Sequence, residues 1–446
     1  MATFKVVLRT NKQRKDGTCP VAIRITKDRK TRYIFTGKYV AKKDWDSNKS
    51  AVKRSHENSV RLNVYIRKRL SEVESISDKA EISEDDISSK QIKLKAKRQS
   101  KKVSFFQFGA ERVKMKFEKG TFSVAKSELS ILHNIYEFLT YNTALSKDKV
   151  IEGIKARRKD RISKARSGKM SYEDELIFFS KCQLLEFTEL DLGFITRFKA
   201  FCSSYLEQKT RTVTNQLIFI RTLYNQAMKE GLVDGKNYPF GGEKERIRIG
   251  SGNKIGLTRE EVEKIESLEL EPGTSIWHTR NVWLFAFYFA GIRISDVLEM
   301  RWSDFVNGRL YYQMNKNEKP ISLKVPDQVQ QIIAHYQPSK RSNSDFIFPF
   351  LKEADESDME DVFVKTRNAT SLFNKYLKRI ADICGIEKNL SNHIARHTFG
   401  NIAGDRIHPM MLQKLYRHSD LKTTITYQAN FIHKEADDAL DAVINS

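Results

Sequence analysis

The stretch FYFAGIRISDVLEMRWSD, Phe287–Asp304, sits at the head of the most informative third of this 446-residue chain. It continues NVWLFAFYFAG (Asn281–Gly291), which is apolar enough to form a buried helix. Its densest part, FAFYFAGI (Phe285–Ile292), is far too short to cross a bilayer. Arg293 follows directly. A guanidinium at the end of a buried helix is costly unless something compensates it, and Asp296, three residues on, is placed to orient it. The plain alternative is a surface ion pair between the two, which contributes little.

Working outward, four more segments carry cationic or acid–base side chains: Lys316 in QMNKNE, the His393-Ile-Ala-Arg396 quartet, His418 in LYRHSD, and Tyr427 in TTITYQ, nine residues after that histidine. Two arginines, a lysine and two histidines can hold and protonate a phosphodiester. The arginine fork donates two hydrogen bonds to phosphate and stays charged. A tyrosine supplies the nucleophile such a site lacks. Its phenol, with a pKa near 10, needs neighbouring cations to make the phenolate accessible. His393 and His397, spaced i and i+4, also look like a zinc pair. However, Ile394 stands where zinc hydrolases carry glutamate, and no third ligand is evident.

This order and spacing resembles the tyrosine recombinase (phage-integrase) family. The match is closest around Arg293, at His393–Arg396, and at Thr423-Thr424-x-x-Tyr427 after His418. The resemblance implies that Arg293 and Arg396 bind phosphate, that His393 works in proton transfer, and that His418 is the third-box histidine. It makes Tyr427 the nucleophile of a 3′-phosphotyrosyl intermediate. It also implies a mobile general-acid lysine on a hairpin, and RLYYQMNKNEKPISLKVP alternates like one. Lys316 aligns best, and Lys319 competes with it. Two departures stand out: Lys316-Asn317 where the family has Lys-Thr, and Arg417-His418 where it has Gly-His. The bond energy is conserved in the tyrosyl ester, so neither ATP nor a metal cofactor is required.

A formal net charge of +23 points to a polyanionic partner, nucleic acid before membrane. The opening MATFKVVLRT has no apolar secretory core, and Cys19, Cys182, Cys202 and Cys384 form no CxxC pair. Both features fit a reduced cytoplasmic protein, and the resemblance implies a bacterial one, nucleoid-associated when active. Residues 1–54 hold 16 Lys/Arg and 4 Asp/Glu, net +12, on three strand-like runs with turns at 15–18 and 27–30. A helix is expected over 57–76, with Val60, Val64, Leu70 and Val73 at helical spacing. Residues 1–76 thus resemble an arm-type DNA-binding domain. Residues 77–102 read as a charged linker with too few large apolar residues for a packed core, although a short helix could form across IKLKAKR.

Residues 103–240 are helical, with an aromatic stripe best explained as core, and resemble a SAM-like core-binding domain. Thr210, Arg211, Thr212 and Thr214 are expected just before its last helix, within reach of phosphates. A basic insertion near 140–185 is either a DNA-facing extension or a solvated loop. A Gly-rich junction (Phe240-Gly-Gly, then Gly250-Ser-Gly-Asn) leads to the catalytic domain, 250–446, where Thr258 and Glu261 form a capping box. The tail FIHKEADDALDAV (Phe431–Val443) reads as an amphipathic helix.

The expected fold is therefore mainly α with small β-sheets (α+β): an N-terminal three-stranded sheet plus helix, a helical SAM-like domain, and a mixed α/β catalytic domain. The expected function is that of a site-specific recombinase integrating and excising a mobile element. It would act as a homotetramer on double-stranded core and arm sites, with room for an accessory DNA-bending protein and no membrane partner. Invertase or resolvase activity, a type IB topoisomerase and a non-catalytic DNA-binding regulator are the alternatives.

Overall fold

The computed structural model describes every residue except 1, 83–86, 100–103, 250–255, 314–319, 405, 419, 422, 426–439 and 445–446. The chain divides into two compact units, 1–250 and 251–446. The Gly250-Ser-Gly-Asn part of the junction lies outside the described residues.

The first unit opens with the expected antiparallel sheet, ordered β1 (Thr3–Leu8), β2 (Thr18–Lys27), β3 (Lys30–Ala41). The β2–β3 turn is two residues long. Asp28 and Arg29 are both left-handed (φ 51° and 58°), which matches the right-handed twist of paired strands. A minimal hairpin follows, β4 (Trp45–Asp46) with β5 (Ala51–Val52), and then α1 (Ser59–Ile82) and α2 (Ser89–Gln99).

Two expectations need correction here. Val60 and Val64 are solvent-exposed; the face of α1 that meets the sheet carries Ile66, Val73, Ile76 and Ala80, with Leu70 partly buried. Apolar spacing picks out two stripes on this helix, and only contact with the sheet decides between them. The described part of 77–102 is not a solvated linker: α1 runs through to Ile82, and Ile87, Ile92 and Ala96 join Ile23, Ile25 and Ile34 in one core. Lys27 Nζ donates to Ile87 O at 2.9 Å and Arg69 Nη2 to Ala96 O at 2.9 Å. Two isoleucines and an alanine suffice because the sheet and α1 supply the rest of the core.

The outer sheet face is basic and aromatic. Lys5, Arg24 and Tyr33 form one cross-strand row. The Arg9 guanidinium lies 3.9 Å from the Tyr33 ring centre, Lys12 Nζ 5.1 Å from Phe35, and the Arg14 guanidinium 3.3 Å from Tyr39.

The helical block comprises α3 (Phe105–Glu118), α4 (Phe122–Thr140), α5 (Lys147–Arg166), α6 (Tyr172–Lys181), α7 (Leu192–Ser204) and α8 (Thr210–Lys229). Its aromatic stripe is core, as expected: Phe105, Phe106, Phe198 and Tyr224 are fully buried. The 140–185 segment is mostly helical rather than a solvated loop. Its α6 places Phe179 in the core, stacked on Phe106 at 5.4 Å, while α5 buries Val150 and Ile154 and exposes most of its cations. The threonines lie within α8 rather than before it. Thr214 is buried and donates to Thr210 O at 2.9 Å, leaving Thr210, Arg211 and Thr212 exposed.

Between α4 and α6, His133 pairs with Glu175, and burial holds the imidazole below its usual pKa. The unfolded chain therefore binds that proton more readily, so stability falls as pH drops through the ordinary histidine range, near 6.5. His133→Gln is expected to flatten that part of the melting-temperature profile between about pH 7 and 5; an unchanged slope would assign the dependence elsewhere.

The second unit begins at α9 (Arg259–Glu266), capped by the expected Thr258–Glu261 box. Next come α10 (Ser275–Tyr288), α11 (Ile294–Leu298) and a sheet ordered β6 (Phe305–Val306), β7 (Arg309–Gln313), β8 (Pro320–Lys324). The expected hairpin is present, with Gln313 opposite Pro320. Helices α12 (Asp327–Ala334), α13 (Met359–Ile383), α14 (Ile394–Ala403) and α15 (Pro409–Tyr416) complete it. The core is built on α10, whose Trp283 and Phe285 are buried with Phe348, Phe373 and Leu377. Residues 440–444 are helical, and the rest of the expected tail helix lies outside the described residues.

Candidate active site

The site starts from a backbone turn. After Tyr288 the chain passes through two left-handed residues, Ala290 (φ 57°) and Gly291 (φ 69°), which reverse it out of α10. A left-handed non-glycine residue costs about 1 kcal/mol, which the small, buried Ala290 accepts. Gly291 is required for a second reason: a Cβ there would lie 2.3 Å from Arg396 Cα. The start of α14 is thus pressed onto this turn. Arg293, half-buried, caps α11, in whose first turn Asp296 is buried. An exposed surface pair of these two is therefore not what the fold provides.

Arg396 is only 4% exposed. Its Nη1 donates to Gly291 O at 3.1 Å and its Nη2 to Tyr416 O at 2.6 Å, and the guanidinium stacks 4.0 Å from the Tyr416 ring centre. Tyr416 returns a hydrogen bond from its hydroxyl to Arg396 O. The fork is therefore fixed by packing.

Arg396 Nη2 also faces His418 Nε2 at 3.3 Å. Guanidinium only donates, so Nε2 accepts and the ring proton sits on Nδ1, 2.9 Å from Thr424 Oγ1. Thr424 is fully buried and lies three residues before Tyr427. The backbone at His418 is set by the end of α15: His418 N donates to Gln413 O at 3.1 Å and Arg417 N to Lys414 O at 3.2 Å, across a left-handed Arg417 (φ 55°).

Arg417 is turned inward. It is 6% exposed, with its guanidinium 4.2 Å from the centre of the Tyr312 ring on β7. Burial lowers its pKa, which Tyr312 and Asp296 oppose, and the charge on Arg293 adds to the lowering. Burial pushes the Tyr312 phenol up to about 12, and Arg417 and Arg396 both pull against that rise.

The described residues thus bring together the Gly291 turn, Arg396 and His418, with Arg293 and Asp296 within electrostatic reach of Arg417. His393 is exposed at the N-cap of α14, its ring 5.0 Å from that of the buried His397. No group of three or more His, Cys, Asp or Glu among the described residues is placed to hold a metal ion. Lys316, Lys319 and Tyr427 lie outside the described residues. The sequence reading missed Tyr416 and the Gly291 carbonyl. The glycine's position before Arg293 was visible, but its partner, 105 residues away, was not.

Comparison with known proteins places three family models along the chain. The arm DNA-binding domain matches residues 6–93, the phage integrase SAM-like domain 149–247, and the phage integrase family 257–433. A tyrosine recombinase of Pseudothermotoga lettingae is 24% identical over 164 residues, 35% of this chain and 51% of that protein. The chain therefore spans about half the length of the curated relative it matches. Among solved structures, XerH site-specific recombinase bound to palindromic difH substrate gives a TM-score of 0.48 at 17% identity, covering 75% of this chain and 95% of that one. A lambda integrase dimer bound to a COC′ core site gives 0.43 at 14% identity, covering 95% and 94%. No helix among the described residues is long and apolar enough to cross a membrane.

Proposed function

The chain belongs to the phage integrase family of tyrosine recombinases, and on that premise we propose that it cleaves and rejoins double-stranded DNA through a 3′-phosphotyrosyl bond to Tyr427, integrating and excising a mobile element. The observation that carries this reading is the fixed Arg396–His418 pair, wedged against the Gly291 turn that leads to Arg293. Such preorganised donors stabilise charge developing on a phosphoryl group without reorganising during the reaction. Arg293 and Arg396 serve the nonbridging oxygens, His393 and His418 hold or move protons, and Lys316 protonates the leaving 5′ oxygen, with Lys319 its competitor. The phosphoryl group passes from a sugar oxygen to a phenol oxygen and back, so the chemistry balances without ATP or a metal.

The test is a nicked suicide duplex carrying the element's junction, incubated with the whole protein in chelator. Accumulation of a covalent protein–DNA adduct is expected, and its absence, or a strict metal requirement, would overturn the proposal. Strand exchange between two sites separates recombination from the runner-up, a type IB topoisomerase, which would relax supercoiled plasmid without exchange. Assembly as a homotetramer belongs to the same reading.

The N-terminal sheet is proposed to bind arm-type DNA with its outer face, where cations lie over Tyr33, Phe35 and Tyr39. Arg9→Ala and Arg14→Ala are each expected to lower the slope of log affinity against log salt by about 1. Core-site cleavage should be unaffected; an unchanged slope removes these residues from the interface. A deletion ending at 76 would sever α1 and strip Ile87, Ile92 and Ala96 of their partners, so a truncation must extend to 99.

A further inference from the structure

The geometry points to Arg417 as a positioning residue that bolts the third-box histidine to the β7–β8 hairpin through Tyr312; this rests on the recombinase reading of the same site. Three independent observations carry it. First, Arg417 adopts the left-handed conformation at the end of α15 (φ 55°, ψ 35°), where glycine is the unstrained choice. A large side chain held in that conformation is tolerated only when its contacts compensate. Second, those contacts are internal. The side chain is 6% exposed and its guanidinium lies 4.2 Å from the Tyr312 ring centre, so it does not present its charge to solvent as a simple phosphate-binding arginine would.

Third, the two ends of this contact are functional elements. Arg417 immediately precedes His418, whose backbone is held to Gln413 and whose ring faces Arg396. Tyr312 lies on the strand that runs into the segment holding Lys316 and Lys319, with Tyr312 opposite Ile321 in the register. Asp296 and Arg293, on the α11 segment, lie within electrostatic reach of the same guanidinium. Arg417 therefore touches, by stacking or by charge, the strand, the helix and the loop that carry the other site residues. It fixes their spacing and adds a second buried positive charge to that of Arg396, within electrostatic reach of the half-buried Arg293.

The experiment measures single-turnover adduct formation on the suicide duplex at several DNA concentrations, for wild type, Arg417→Gly, Arg417→Lys, Tyr312→Phe and the Arg417→Gly/Tyr312→Phe pair. Hydrogen exchange of the β7 peptide is measured alongside. Glycine suits the backbone at 417, so that variant is expected to fold and melt close to wild type. Its saturating cleavage rate should fall about tenfold or more with half-saturating DNA changed less than about twofold, as expected for lost positioning rather than lost binding. Lysine should restore part of the rate, the double variant should be no slower than Arg417→Gly, and β7 amides should exchange faster.

A wild-type rate in Arg417→Gly would overturn the inference. So would a pure loss of DNA affinity, which would make Arg417 a direct phosphate ligand, or multiplicative losses in the double variant. If wild type itself forms no adduct, the recombinase reading fails, and the exchange measurement alone decides whether Arg417 ties β7.

Discussion

Tyr427→Phe is expected to leave DNA binding within about twofold of wild type and to abolish the covalent adduct, a loss of at least about 10⁴-fold in single-turnover cleavage. On the proposed mechanism the phenol oxygen bonds to phosphorus while the 5′ oxygen departs and takes a proton, and phenylalanine lacks that oxygen. Of the nearby hydroxyls, that of Thr424 is buried and engaged with His418. Thr424 ties the chain three residues before Tyr427 to the histidine that faces Arg396. The loss should appear as missing adduct on denaturing gels, with retained mobility shift on native gels. An adduct of undiminished yield would show that another residue is the nucleophile.

Gly291→Ala is expected to be the most damaging single methyl group in the catalytic unit. It forces an alanine into φ +69° and places its Cβ 2.3 Å from Arg396 Cα, so either the turn or the start of α14 must move. The backbone conformation alone costs about 1–2 kcal/mol, and the clash adds to it. Either displacement breaks the donation from Arg396 Nη1 to Gly291 O and shifts Arg293 relative to Arg396. A misplacement near 1 Å in such a site lowers the rate about 100-fold. Suicide-substrate cleavage and the melting curve read the two effects separately. An alanine variant that melts and cleaves as wild type would mean that α14 does not close onto this turn in solution. Ala290→Gly is the comparison: it relieves a left-handed alanine but removes a methyl packed with Leu412 and Tyr416, so the melting temperature should change far less than in Gly291→Ala.

Much of the site was legible from residue type and spacing. Arg293 stood out because a buried helix cannot end on an unexplained guanidinium, and His393, Arg396 and His418 became candidates through the family resemblance; the fold brings Arg396 and His418 together. The three-stranded N-terminal sheet and the β7–β8 hairpin were legible because alternation and turn residues are local properties. Periodicity failed where two stripes competed, as on α1, where Val60 and Val64 face solvent. Composition failed at 77–102, where a run of lysines hid the i, i+4 pair Ile92 and Ala96. In the 140–185 insertion the charge of α5 likewise hid the core aromatic Phe179 of α6, and with it the packing that excludes a solvated loop.

What the linear chain settles here is chemistry: which side chains can carry charge, donate protons or attack, and the local periods that make strands and helices. Those depend on neighbours within a few residues. Whether Arg417 reaches toward a ligand or lies buried over Tyr312, which carbonyls hold Arg396, and why Gly291 must lack a side chain depend on segments 20 to 105 residues apart meeting. Packing sets those distances, and nothing in the spacing of the residues encodes them.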